Sequence, residues 1–276
     1  MTFLRKVFFI LSTFFVLIFL PTVNAQLTHK PRFNEGIDLA PEVAAERWAQ
    51  FSSSKLAGDY AMAFDLTHRP LRGEDVKYKG YMLGAEFGGA VYTRIYIAPL
   101  ADLKKGETFI LKNSPNGSVV WKFENGKFVE LKTQAWQTPL IKGLLYSPFD
   151  LLMPYKHWQA KYMGAGRVGQ AVHNFELSNE KFSAQKVCVS LTRDFNAPAQ
   201  VQIFENEVLK KTARLGSVKK VDNGIWIMRE ASVKDNETRD NDVLRFTHAI
   251  FKIALPREIF SPNSAKEVDV PSMKKL

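Results

Sequence analysis

Cysteine is nearly missing from this chain of 276 residues: Cys188 stands alone. One thiol cannot close an internal disulfide, so the fold has to be held by its core. Histidine is scarce, and His29, His68, His157, His173 and His248 form neither an i, i+4 pair nor an H-E-x-x-H. That spacing offers no metal site. There is no G-x-S-x-G elbow; Ser147 lies between Tyr146 and Pro148, with no base designated for it. Cys188, within VCVSL, reads as a small side chain in a strand, and His173 as a hydrogen-bonded core histidine. Asp240 and Asp242 fall in KDNETRDND, which reads as a solvated turn. No catalytic residue, metal or cofactor is therefore expected, and an envelope hydrolase would need a site that the sequence does not display. Tandem repeats, low-complexity tracts and linkers are also lacking.

Charge of one sign is not lacking. The net charge is +10, and Arg5 and Lys6 account for two of those charges, which leaves +8 on the rest. The cations are scattered in the distant doublets Lys104-Lys105, Lys210-Lys211, Lys219-Lys220 and Lys274-Lys275. No basic block interleaved with aromatics marks a nucleic-acid groove; the charge fits a surface that keeps the protein soluble or one that favours anionic lipid headgroups.

The only long apolar run is VFFILSTFFVLIFL, Val7 to Leu20, behind a basic start and ahead of Val23-Asn24-Ala25. This is the pattern of a cleaved secretory leader. Its 14 residues fall short of the roughly 20 that span a bilayer. Residues 1–25 are thus expected to be a signal peptide and residues 26–276 one domain in the periplasm, outside the compartment that holds NAD and ATP.

MGAGRVGQA, Met163 to Ala171, has the G-x-G-x-x-G spacing of a dinucleotide-binding turn. That turn needs a buried strand before it and a helix after it. Here PFDLLMPYKHWQAKYM precedes it and the alternating AVHNFEL follows. The stretch reads instead as two extended segments joined through a glycine-containing bend.

PEVAAERWAQFSSSK, from Pro41 to about Lys55, places Val43, Ala44, Trp48 and Phe51 on one helical stripe. GDYAMAFDL, Gly58 to Leu66, is expected to form a second helix. From Val76 onward eleven alternating runs read as strands: VKYKGYML, AVYTRIYIA, ETFILKN, SVVWKFE, KFVELK, AVHNFELS, QKVCVSLT, AQVQIFE, KTARLGSVKKV, GIWIMREASV and DVLRFTHAIFKI. Asn116-Gly117, Asn125-Gly126 and Asn223-Gly224 supply hairpin turns, which makes the sheet antiparallel. One apolar, proline-containing interruption, Pro139 to Trp158, reads as a connection with a short helix at Phe149 to Met153. So long a sheet tends to curl, and a half-barrel with the helices and this connection on its concave side is the α+β architecture expected. Aromatic residues on that concave face would line a cavity for a hydrophobic ligand. The candidate lining is Phe109, Trp121, Phe123, Trp136, Phe149, Trp158, Phe175, Trp226 and Met228. Alternation puts Trp121 with Phe123 on one face, and Trp226 with Met228 on one face.

The succession TRIYIAP (Thr93 to Pro99), KGETFILKN (Lys105 to Asn113), SPFDLLMPYKHW (Ser147 to Trp158), GRVGQAVHNFEL (Gly166 to Leu177), VSLTRDFNAPAQVQIFE (Val189 to Glu205), LGSVKKVDNGIWIMRE (Leu215 to Glu230) and ALPREIFSP (Ala254 to Pro262) resembles the outer membrane lipoprotein-sorting family, the LolA-like proteins. The resemblance spans nearly the whole chain after the leader. It implies an incomplete antiparallel β-barrel of about eleven strands wrapped around helices, with a cavity for acyl chains. It further implies a carrier that takes lipoproteins or other lipids from an inner-membrane release complex towards an outer-membrane acceptor, and the protein is expected to be a monomer. Carriers of this family hold their lid through a cavity arginine; Arg94 lies in a strand, and its register does not assign it that role. A non-catalytic structural envelope protein, with a filled core and an apolar external patch, is the contrasting expectation.

Overall fold

The computed structural model describes residues 37–56, 58–182, 185–221 and 226–276. The expected signal peptide and the Asn223-Gly224 turn lie outside the described residues. The first element among the described residues is helix α1 (Pro41–Ser53), whose proline occupies the first turn. Ala44, Trp48 and Phe51 form its buried stripe, at spacings of four and three residues, whereas Val43 faces solvent.

Gly58 to Leu66 is not a helix. Strand β1 (Asp59–Arg69) runs through it, and its inward row is Tyr60, Met62, Phe64, Leu66 and His68, a period of two. The aromatic members of that row need space on the next strand, β2 (Val76–Phe87). Tyr60 pairs with Gly84 and Phe64 with Gly80. A Cβ on Gly84 would lie 2.1 Å from the Tyr60 ring, and one on Gly80 would lie 2.4 Å from the Phe64 ring. The two glycines of β2 are thus the seats of two aromatic rings.

The chain continues through β3 (Ala90–Pro99), β4 (Glu107–Asn113), β5 (Val119–Glu124) and β6 (Lys127–Glu130). Asn125 and Gly126 both take positive φ, 51° and 84°, in the two-residue turn between β5 and β6. After the connection come β7 (Gln159–Val168), β8 (Gln170–Ser178), β9 (Gln185–Thr192), β10 (Pro198–Glu205), β11 (Val208–Lys220), β12 (Trp226–Asp235), β13 (Asn241–Ile253) and the short β14 (Lys274–Lys275). All eleven runs read from the sequence are strands. The structure adds β1, β7 and β14, so among the described residues the sheet has fourteen strands rather than about eleven.

The order is β6-β5-β4-β3-β2-β1-β13-β12-β11-β10-β9-β8-β7, with β14 beside β13, and all pairings are antiparallel. The chain therefore meanders from the centre to one edge, crosses over, and meanders back from the other edge. The crossover is residues 131–158, which include helix α2 (Pro148–Leu152). Within it, the Asn113 side chain of β4 donates to the carbonyl of Leu152 at 2.8 Å, while Lys211 Nζ of β11 lies 3.2 Å from Asp150 Oδ2. On a flat sheet β4 and β11 are six spacings apart, about 29 Å. One short helix touches both, so the sheet is strongly curled around the crossover. It is nonetheless open, not a closed barrel, because β6 and β7 end the order without pairing.

Gly164 and Gly166 lie inside β7, and only Gly169, at φ 69°, makes the bend to β8. No helix follows. The stretch is a hairpin, not a dinucleotide-binding turn.

Candidate functional site

The concave face of the sheet is apolar from β1 to β5 and from β8 to β13. Ile95, Ile97, Phe109, Leu111, Phe175, Leu177, Val189 and Phe246 are all buried there in one continuous core. Among the described residues two larger elements outside the sheet cover this face, and Phe182 packs beside them, 4.8 Å from the Trp158 ring. The first is α1, with Trp48 against Phe175 at 5.2 Å between ring centroids. The second is the 131–158 connection, whose Trp136, Leu140, Leu144, Tyr146, Phe149, Leu152, Tyr155 and Trp158 all enter the core.

Of the nine candidate lining residues, Phe109, Trp136, Phe149, Trp158 and Phe175 are buried in this core and Met228 packs against it. Trp226, two residues before Met228 on β12, is half-buried. Trp121 and Phe123 do share a face, as alternation requires, but it is the outer one. Trp121 pairs with Ile110, whereas the inward residue of β5 is Val120. Phe123 stacks edge-on against Phe128 at 5.1 Å and lies 6.0 Å from Lys266 Nζ.

That outer face has a cover of its own. The C-terminal segment 254–276 buries Leu255 and Phe260 against Ala61, Leu83 and Ala85. Arg94 is fully buried beneath it and fastens it: Nη1 donates to Ile259 O and to Ser264 Oγ at 2.7 Å, and Nη2 to the carbonyls of Ala265 and Lys266. Its guanidinium also lies 5.2 Å from the Phe128 ring centroid. Arg94 therefore holds a strap on the convex side and does not point into the concave core.

The covers of the concave face are tied down by a few polar contacts. Asp242 overturns the solvated-turn reading: it is 0% exposed. One carboxylate oxygen lies 2.7 Å from His68 Nδ1, and the other accepts the amides of Leu145 at 2.7 Å and Tyr146 at 3.1 Å. Burial pushes the Asp242 carboxyl up, and these hydrogen bonds pull it back. Asp150 caps α2, accepting from the Ser147 amide and hydroxyl at 2.8 and 2.7 Å. The Ser147 hydroxyl is thus engaged by the carboxylate that caps α2. Lys156, on the turn Pro154–His157, donates to the carbonyl of Ser54 at the end of α1, at 2.6 Å. Arg47 of α1 donates to Thr192 O at 3.2 Å, and Asn196 returns a bond to Arg47 O at 2.8 Å.

The remaining sequence candidates sit in structural roles. His173 is buried, with Nδ1 3.0 Å from the Tyr162 hydroxyl. Burial and neighbouring Glu176 push the Cys188 thiol up, the opposite of an activated thiolate. No group of three metal-ligating side chains occurs among the described residues. No helix among them is long and apolar enough to cross a membrane.

Solved structures share this open, curled antiparallel fold. The chain is similar to a domain from Vibrio parahaemolyticus described as an outer membrane lipoprotein-sorting protein, at 16% identity and TM-score 0.67, over 80% of this chain and 96% of that one. It is similar to a DUF1329 family protein from Desulfovibrio piger, at 13% identity and TM-score 0.68, over 80% and 96%. It is also similar to the LolA superfamily protein NE2245 from Nitrosomonas europaea, at 13% identity and TM-score 0.60, over 79% and 97%. No family model and no curated protein matches the chain. The fold is LolA-like.

Proposed function

We propose that the protein is a periplasmic carrier that binds acyl chains, of lipoproteins or of other lipids, between the concave face and its covers and moves them towards the outer membrane. The observation that carries this reading is how the hollow is closed. The sheet does not close on itself; α1 and the 131–158 connection lie on its apolar face and are fastened to it by isolated polar contacts. Shifting either cover exposes a continuous apolar trough without breaking a strand pairing, and such a trough is what an acyl chain would fill. The LolA-like fold supports the reading, as does the secretory leader at residues 1–25. The carrier works as a monomer, loaded from an inner-membrane release complex and emptied at an outer-membrane acceptor. It has no catalytic role and needs no cofactor.

A second reading rests on one observation: in this structure the covers fill the trough with their own aromatic side chains. A non-catalytic structural envelope protein would look the same. Expression with the leader, purification from the envelope, delipidation and mass spectrometry of what co-purifies separates the two. A carrier returns acylated species and takes up acyl ligands after delipidation, with Trp48, Trp136 and Trp158 changing fluorescence. A protein that carries no lipid and takes none up has a closed structural core, and the carrier reading fails.

A further inference from the structure

Lys156 is buried in a way the fold does not require. It is only 7% exposed, yet its ammonium has no carboxylate partner among the described residues. Its neighbours are the Ser54 carbonyl at 2.6 Å, the Ser54 hydroxyl at 3.4 Å and the Phe51 ring at 5.2 Å. The contrast is the part-buried Lys211 of β11, which is matched by Asp150 of the same connection. Buried cations are ordinarily paired, because an ammonium taken out of water without a counter-ion is costly. Burial alone lowers the Lys156 pKa, to about 8, so the group still carries its proton near neutrality. It sits on the seam between the two covers, with Phe51 on the α1 side and Tyr155 on its own turn, both part of the concave core.

We propose that Lys156 is an anion site at this seam, and that the cargo is an acyl amphiphile with a carboxylate or phosphate head, the chain lying in the trough and the head on the ammonium. This rests on the carrier reading and sharpens it. A neutral diacylglyceryl group brings no charge for Lys156, whereas a fatty acid or an anionic phospholipid supplies the missing partner. The same event loosens the cover, because an anion that takes the ammonium competes with the Ser54 carbonyl that holds the end of α1. Head-group recognition and opening of the seam are then one step.

The test compares dodecanoate, dodecyl phosphate and dodecanol, each below its micelle concentration, on the delipidated full-length mature protein at pH 7. The two anions are expected to bind at least about ten-fold more tightly than the alcohol. Lys156→Met and Lys156→Gln bring that ratio to about one without weakening dodecanol, and Lys156→Arg keeps it, with circular dichroism confirming that each variant is folded. Equal binding of acid and alcohol by the natural protein overturns the anion site and leaves the carrier reading standing, and so does a ratio that survives Lys156→Met. Binding of acetate or inorganic phosphate as tightly as the amphiphiles overturns the assignment of the ligand class. Failure of all three probes to bind removes the carrier reading and this inference with it.

Discussion

Replacing Lys156 by methionine should stabilise the protein, which is the reverse of what loss of a buried hydrogen bond normally does. The unfolded chain holds the lysine proton up to its ordinary value of 10.5, and the folded chain releases it at about 8. Below pH 8 both states are protonated, so the fold bears the full cost of the desolvated ammonium. Between pH 8 and 10.5 the unfolded state binds more protons, and stability rises with pH. The fall from 10.5 to about 8 corresponds to roughly 3 kcal/mol at pH 7. Methionine has a similar volume and no charge, so it removes that cost. It also forfeits the bond to the Ser54 carbonyl, worth about 1 kcal/mol.

The net expectation is a gain of about 2 kcal/mol at pH 7, which for a domain of this size raises Tm by about 4–8 °C. Urea unfolding of both proteins at pH 7, 8.5 and 10 checks it, with the difference between them as the readout, since other groups titrate over the same range. The neighbouring His157 has its pKa lowered by burial and by that lysine, so it is neutral throughout. The advantage of the variant should shrink towards zero, or reverse by the value of the lost bond, as the pH reaches 10. A variant less stable than the natural protein at pH 7, or a difference that does not move with pH, refutes the reasoning and makes Lys156 a structural cap for α1.

Asp242→Asn should cost about 2–4 kcal/mol in urea unfolding, since it breaks a buried carboxylate shared by His68 and two backbone amides, and a change below about 0.5 kcal/mol sinks that assignment. Gly84→Ala should destabilise by about 1–3 kcal/mol through collision with Tyr60, and a Tyr60→Ala background should relieve much of the effect; additive losses would mean the ring is not the obstacle. Phe123→Asp, on the outer face, should leave acyl-ligand affinity within about two-fold, a change of only about 0.4 kcal/mol, whereas Phe175→Asp in the concave core should abolish binding; the opposite ranking would exchange the two faces. Arg94→Lys cannot reach the four acceptors of the strap, so limited proteolysis should clip the chain within residues 254–266 with the rest intact, and unchanged resistance would show that apolar contacts alone hold the strap.

The strands were legible because eleven of them alternate over lengths that no other element reproduces. β1 was not, because Ala61 and Ala63 dilute the pattern and the stretch is short enough to satisfy a helical period as well. The signal that would have found it lies on another strand: Gly80 and Gly84, four apart in β2, are where the rings of Phe64 and Tyr60 come to rest. The faces were half legible. Alternation states that Trp121 and Phe123 point the same way but not which way, and the usual assumption, aromatic means inward, holds only for a sheet with one covered face. Here the C-terminal strap covers the other. Leu255, Ile259 and Phe260, apolar residues outside any alternating run, were the hint that a second apolar surface had to exist.

Asp242 was hidden by its company, since KDNETRDND is polar enough to read as solvent-exposed throughout. Its position in the strand gives a different answer. Asp242, Leu244 and Phe246 form one inward row on β13, and Leu66 and His68 continue the inward row of β1 beside it, so the two apolar rows end side by side in a histidine and an aspartate. Polar residues that terminate adjacent inward rows lie where the sheet stops covering itself and something else must be attached, and the amides of Leu145 and Tyr146 are what is attached there. Asp150 with Lys211 and Lys156 with Ser54 repeat the arrangement at two more points of the same connection. The buried charge described at the concave core thus gathers at the fastenings of its covers. A core built only for stability gains little from that arrangement, because apolar packing would hold the covers without the desolvation cost. Fastenings that a proton or an anion can loosen are of use to a hollow that has to open.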